Sequence, residues 1–275
     1  MALSIASLNS GSNGNCYYVG NAHDAVLIDA GISCRETVKR MTRLGLNMHK
    51  VRAIFVSHEH TDHIAGLAVL SKKFDLPVYI TNAMMSNAGR HVDPLQIRFY
   101  RRDEPVTAGS LCIRAFSKYH DACDPHSFVV SADDIHIGVF TDLGRVCDNL
   151  ISHFSKCHAA FLEANYDDDM LHKGPYPYYL KKRISGGHGH LSNDEALRLF
   201  VEHKPAHMSH VLLSHLSREN NDPQLVLDLF RKHCGDTHVA VASRYEESQV
   251  YHISGDAVYD RVLQTKASQL SLFSQ

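Results

Sequence analysis

The 275-residue sequence predicts an α/β protein with many strands, and three observations carry that reading. Short apolar runs bounded by polar or turn residues recur along the chain, as half-buried or fully buried strands require. Helical patterns with capping signals fall between and after them. Finally, acids and histidines stand directly behind several apolar runs, where α/β sheets gather binding groups outside the carboxyl ends of their strands.

The expected strands are 16–19, 25–28, 53–56, 78–80, 111–116, 128–130, 135–140, 159–162 and 211–213. A helix should follow residue 63, carrying Ile64, Leu67, Ala68 and Val69. Ser192 with Glu195 forms a capping box ahead of Leu197, Phe200 and Val201. Asp222-Pro223 opens another helix whose Val226, Leu229 and Phe230 share a face before Gly235 ends it. No linker, repeat or low-complexity segment divides the chain. We expect one domain over residues 1–265 and a short flexible tail, 266–275.

Composition narrows the function classes. Formal net charge is −2, so the whole molecule carries no basic field that demands nucleic acid, and a polyanion site must be local. The N-terminus lacks a cationic start with a long apolar core, and no apolar run approaches the ~20 residues that span a bilayer. The seven cysteines are scattered without a C-x-x-C pair, which fits reduced thiols in a cytoplasmic protein.

The densest chemistry lies in "VSHEHTDHIAG", residues 56–66. Histidine is common here, at 21 residues, so a solvated loop with incidental histidines must be weighed. Even so, H-x-H-x-D-H should arise by chance in roughly one such chain per hundred, which disfavours that alternative. His58 and His60 alternate on extended chain and can point the same way. Asp62 and His63 follow in a turn leading into a helix and approach from another direction, so one segment offers ligands to two neighbouring sites. Mixed imidazole and carboxylate ligation suits zinc, with manganese and iron as alternatives. His58 follows "AIFVS", Asp142 follows "IGVFT", Glu163 follows "AAFL" and His215 follows "VLLS", which implies a single pocket.

"HEHTDH" resembles the signature of the metallo-β-lactamase fold superfamily. Later landmarks appear in order: His120 in "SKYHDACDPHSF", Asp142 in "GVFTDLG" and His215 in "LLSHLSREN". The resemblance implies an αββα sandwich, two mixed β-sheets flanked by helices, with two divalent metal ions between the sheets. By position His58, His60 and His120 would hold one metal, and Asp62, His63 and His215 the other. Asp142 would bridge, since two cations so close need an anion between them. His126 and His136 compete with His120, as do His207 and His210 with His215, although only His215 ends an apolar run.

"FLEANYD" and "GGHGHLSND" resemble segments of the tRNase Z-type phosphodiesterases, which pair Glu163 with His190 as a proton-donating dyad; His188 is the rival for that role. Asp62 joins these two among the expected catalytic residues. A carboxylate beside an imidazole holds a proton ready for a departing alkoxide. The alternative for His190 is a residue that satisfies an orphan amide near Ser192. "SGSNGNCYYV", "EANYD", "GPYPYYLKKRISGGHGHLSN" and "HLSRENNDP" together resemble the YycJ/WalJ family of bacterial DNA exonucleases, while the chain lacks an inserted glycine-rich arm for tRNA.

The expected function is a dinuclear metal-dependent phosphodiesterase, a DNA exonuclease of mismatch repair. A small-molecule hydrolase (lactonase, thioesterase or cyclic phosphodiesterase) and a metal-bearing binding module without turnover are the alternatives. Lys181, Lys182 and Arg183 beside Tyr176, Tyr178 and Tyr179 offer phosphate contacts and stacking faces, or else form a solvated helix with buried tyrosines. "NSGSNGNC" reads as a phosphate cradle or a flexible turn. The terminal Gln269, Leu270, Leu272 and Phe273 resemble the peptide by which bacterial repair proteins dock on the sliding clamp.

Overall fold

The computed structural model describes residues 2–255. The chain runs through β1 (Leu3–Asn9), β2 (Cys16–Gly20), β3 (Ala25–Ile28), β4 (Val51–Phe55), β5 (Val78–Ile80) and β6 (Ile97–Phe99). There follow β7 (Pro105–Ala108), β8 (Leu111–Ser117), β9 (His126–Ala132), β10 (Ile135–Phe140), β11 (Ala159–Glu163), β12 (His210–Ser214) and β13 (His238–Val241), before the chain returns as β14 (Tyr251–Ile253). One sheet has the order β14-β1-β2-β3-β4-β5-β6 and the other β13-β12-β11-β10-β9-β8-β7. Both are mixed: β3 to β6 and β10 to β13 run parallel, and the remaining neighbours are antiparallel.

The helices are α1 (Cys34–Arg43), α2 (Thr61–Ile64), α3 (Leu67–Phe74), α4 (Asp148–Phe154), α5 (Asp168–Lys173), α6 (Tyr178–Ser185), α7 (Asn193–His203) and α8 (Pro223–Arg231). Met41, Leu67 and Leu70 of α1 and α3 join a core that covers both faces of the first sheet and takes in the inter-sheet residues of the second. Leu150 and Phe154 of α4, Ala196, Leu199 and Phe200 of α7, and Val226 and Phe230 of α8 pack the outer face of the second sheet. The layers are therefore α/β/β/α, as the resemblance implied. Central strands covered on both faces read as unbroken apolar runs, which is why they were visible in the sequence.

The pleat also sets the site. Ala159 and Phe161 of β11 face the other sheet while Ala160 and Leu162 face the helices, so Glu163 comes next on the inter-sheet side. Three expectations needed correction. The helix expected through Ile64 and Val69 is two helices broken at Ala65-Gly66, because a Cβ on Gly66 would stand 1.9 Å from the carbonyl oxygen of Ile32, and Val69 is 62% exposed. The helix opened by Asp222 ends at Arg231, ahead of Gly235. Five strands had no counterpart in the sequence reading: β1 and the four sheet edges β6, β7, β13 and β14. Among the described residues no helix is long and apolar enough to cross a membrane, and all seven cysteines are free thiols.

Candidate metal centre

His58, His60, Asp62, His63, His120, Asp142, Glu163, His190 and His215 come together at one end of the sandwich. On one side His60 Nδ1 lies 3.0 Å from His58 Nε2 and 3.3 Å from His120 Nε2. Nitrogens bound tetrahedrally to zinc at ~2.0–2.1 Å stand roughly 3.3 Å apart, so the spacing suits a cation at their centre. The ring orientations are fixed from behind. His120 Nδ1 donates to the Gly189 carbonyl at 2.9 Å. Ser57 Oγ donates to Asp29 Oδ2 at 2.9 Å and therefore accepts from His58 Nδ1, also at 2.9 Å. Both Nε2 lone pairs are thus aimed at the same point.

On the other side His63 Nδ1 donates to Asp29 Oδ2 at 2.7 Å, turning its Nε2 toward Asp62 Oδ2 at 3.5 Å and Asp142 Oδ2 at 3.3 Å. His215 Nδ1 donates to Glu163 Oε1 at 3.0 Å, and its Nε2 lies 3.6 Å from Asp62 Oδ2 and 3.5 Å from Asp142 Oδ1. These are close approaches without hydrogen-bond alignment: Asp142 Oδ2 and His215 Nε2 are buried and have no hydrogen-bond partner among the described residues. Buried polar atoms left unpaired cost about 1–3 kcal/mol each, so the donor set fits a divalent cation. Asp142 stands between the halves, its Oδ1 3.8 Å from His120 Nε2.

Electrostatics divide the halves in the same way. Burial holds His58 well below the usual imidazole value and brings His120 down to about 4, leaving both neutral with lone pairs free. Burial is the largest single influence on His215 and His63 and disfavours their charge, but the surrounding carboxylates together outweigh it: Asp142, Asp62 and Glu163 lift His215 to about 10, and Asp142, Asp29 and Asp62 hold His63 well above its usual value. The carboxylate half draws positive charge. Asp29, Asp142 and His215 also adopt left-handed backbone, at φ of 62°, 55° and 58°. Such conformations cost about 1–3 kcal/mol each away from glycine and persist where the surroundings enforce them.

Glu163 is fully buried and every contact is saturated: its Oε2 accepts from the amides of Leu143 and Leu191, and its Oε1 from His215 Nδ1 and, at 2.8 Å, His190 Nδ1. Burial alone would raise its pKa, yet the neighbouring His190 and His215 bring it down to about 2. His190, whose side chain is 22% exposed, thus faces the opening with its Nε2 while Glu163 holds the other nitrogen.

The rival histidines lie elsewhere. His126 bonds to the Asp124 carbonyl and packs edge-on against Tyr100, His136 bonds to Ser131, and His207 reaches the Lys156 carbonyl. His210 is at the opposite end of β12 from His215, and His188 is exposed against Tyr119. Sequence reasoning missed Asp29, although it ends the apolar run of β3 as the other acids end theirs. It also missed Ser57, the buried Lys118, whose Nζ donates to the Thr141 carbonyl at 2.7 Å, and Asn15.

Asn15 settles the reading of "NSGSNGNC". Its backbone N–H donates to the Asp62 carbonyl at 2.7 Å and its Nδ2 to Asp62 Oδ2 at 3.1 Å, so the buried Asn15 clamps Asp62 while Ser12 and Asn13 at the tip of the segment are exposed. In α6 no residue is buried, and Tyr178 and Tyr179 are 79% and 73% exposed, contrary to the alternative of buried tyrosines. Arg183 of that helix pairs with Asp121 at 2.5 Å, next to His120.

Fold and site define a metal-dependent hydrolase. The β-lactamase superfamily domain model matches residues 24–215. Exodeoxyribonuclease YycJ of Bacillus anthracis is 35% identical over 229 residues, covering 82% of this chain and 86% of that protein. Exodeoxyribonuclease WalJ of Streptococcus pneumoniae is 32% identical over 224 residues, 79% of this chain and 83% of that protein. The chain belongs to the metallo-β-lactamase superfamily and, within it, to the YycJ/WalJ family. Among solved structures, the metallo-β-lactamase fold protein YhfI from Bacillus subtilis matches with a TM-score of 0.72 at 18% identity, over 91% of this chain and 99% of that one, a likeness of fold.

Proposed function

We propose that the protein is a phosphodiester hydrolase with two divalent cations, zinc or else manganese or iron, that degrades DNA from an end as an exonuclease of repair in the cytoplasm. The observation that carries this is one buried cluster with two donor sets around Asp142, beside the Glu163–His190 pair. His58, His60 and His120 would hold one cation, Asp62, His63 and His215 the other, and Asp142 would touch both. When bound, the cations supply an ionised water near neutral pH and neutralise charge on the phosphoryl group. Asp29, Ser57 and Asn15 hold these side chains in position. His190 carries a proton on Nε2 for the departing sugar oxygen, while Glu163 keeps Nδ1 occupied and the ring oriented. DNA as substrate is supported by the names of both relatives and by the exposed tyrosines and cationic residues of α6 at the rim of the centre.

Metal-loaded protein incubated with end-labelled single- and double-stranded DNA and RNA, beside ester and lactone panels, tests the reading. Release of nucleotides from DNA ends is the expected result; turnover of an ester or lactone with DNA left intact would refute it. The domain boundary at residue 265 and the clamp peptide at Gln269, Leu270, Leu272 and Phe273 lie outside the described residues. As a proposal from sequence, the tail 266–275 docks on the bacterial sliding clamp, Leu272 and Phe273 acting as buried anchors. Calorimetry with the clamp, before and after deletion of residues 269–275, checks it; binding unaffected by the deletion refutes it.

A further inference from the structure

A cavity of about 230 Å³ opens at the same end of the sheets as the metal centre, between the loop after β12, the end of β13 and the loop after β1. Ser10, Leu216, Arg218, Ser243, Arg244 and Tyr245 line it. It adjoins the centre directly: Ser10 Oγ accepts the backbone N–H of His215 at 2.8 Å, and Leu216 is the next residue.

Its chemistry is unbalanced. Arg244 is anchored by its carbonyl, which accepts from Asn13 Nδ2 at 2.7 Å, and by Nη2, which donates to Ser12 Oγ at 3.2 Å. Its Nη1 is buried and has no hydrogen-bond partner among the described residues. A buried guanidinium N–H without an acceptor is costly, and the acceptors that guanidinium forks match best are carboxylate and phosphate oxygens. Arg218, whose side chain is 69% exposed, lies at the rim and pairs through Nε with the Glu219 carboxylate at 3.4 Å, so Arg244 is the cation the cavity relies on. Tyr245 is 71% exposed and offers a flat face, with the Arg244 guanidinium 6.0 Å from its ring centre. An anion-seeking arginine, a free aromatic face and a cavity below the ~300–1,000 Å³ range of drug-sized ligand sites describe a single small aromatic anion.

We infer that this cavity holds the terminal nucleotide of the strand, its phosphate on the Arg244 guanidinium and its base against Tyr245. The inference rests on the phosphodiesterase reading above and adds how an end is recognised: a subsite for one nucleotide beside the cations favours chain ends over chain interiors. Aromatic stacking with a base is tolerant of sequence, so the subsite should accept all four bases.

The test is calorimetric titration of a 2′-deoxynucleoside 5′-monophosphate into the metal-loaded full chain, with metal content measured in each sample. The wild-type protein should bind it, and more tightly than it binds inorganic phosphate or the unphosphorylated nucleoside. Arg244→Gln should weaken binding at least tenfold, about 1.4 kcal/mol. Tyr245→Ala, a change at an exposed ring that leaves the core untouched, should weaken the nucleotide but not inorganic phosphate. On linear single-stranded DNA both variants should raise KM more than they lower kcat. No nucleotide binding by the wild-type protein, equal binding by Arg244→Gln at equal metal content, or inorganic phosphate bound as tightly as the nucleotide would each overturn the inference. Failure of the phosphodiesterase reading shows separately, as a wild-type protein that cleaves neither DNA nor bis-p-nitrophenyl phosphate, and the titration still decides the subsite.

Discussion

Glu163→Gln replaces one oxygen of a carboxylate that accepts four hydrogen bonds with an amide group that can only donate. The amides of Leu143 and Leu191 are fixed donors, so the remaining oxygen of the glutamine must stay with them. Its NH2 group then faces His190 Nδ1 and His215 Nδ1, previously 2.8 and 3.0 Å from Glu163 Oε1. Both imidazoles must move their proton to Nε2 or turn away. For His215 this blocks the atom aimed at Asp62 and Asp142, and disturbing such a supporting contact typically costs 10–100-fold in metal affinity. For His190 it removes the group that orients a general acid, a function worth about 10²–10⁴ in rate. Competition with a chelator should therefore show one cation bound about 10–100-fold more weakly and the cation of the three histidines unchanged, while kcat on DNA falls at least about 10²-fold. Wild-type affinity at both sites would refute the coupling of Glu163 to His215.

His190→Ala should leave metal binding intact and lower the rate on DNA by about 10²–10⁴, with a much smaller loss on bis-p-nitrophenyl phosphate, whose leaving group needs no proton; equal losses would make His190 structural. Gly31→Ala would place a Cβ 1.7 Å from the Asp62 carbonyl oxygen, so denaturant unfolding should show a loss of at least about 1–3 kcal/mol together with weaker metal binding. His210, far from the centre, is pushed by burial and then by His238 from 6.5 to about 4. The unfolded chain therefore takes up a proton in that window before the folded one, and stability present above pH 6.5 is lost as pH falls toward 4, by up to about 3 kcal/mol. Urea midpoints at pH 7 and 4.5 should converge in part for His210→Gln, and an unchanged gap would refute the assignment.

The legible part of the fold was the part buried on both faces. Edge strands β6, β7, β13 and β14 have three or four residues each with open or half-open faces, so their hydrophobic pattern is short and diluted. β1 mixes serine, alanine and asparagine with leucine and isoleucine, and its Ser7 and Asn9 are buried by neighbours that only the tertiary structure supplies. The same division holds at the centre. Residues crowded into one motif or standing behind an apolar run could be found, and Asp29 could have been found by the second rule. Asn15 could not, because its meaning lies in its hydrogen bonds to Asp62, 47 residues away. The break at Gly66 likewise depends on the Ile32 carbonyl, which no local pattern reveals.

The two-cation centre is tested most directly by stripping the protein of metal and titrating it back while following hydrolysis of bis-p-nitrophenyl phosphate and bound metal by elemental analysis. Two equivalents should bind per chain, activity should rise to its plateau only as the second is filled, and Asp62→Ala should retain one equivalent and little activity. Full activity at one equivalent, or two tightly held ions in Asp62→Ala, would contradict a centre built from both donor sets.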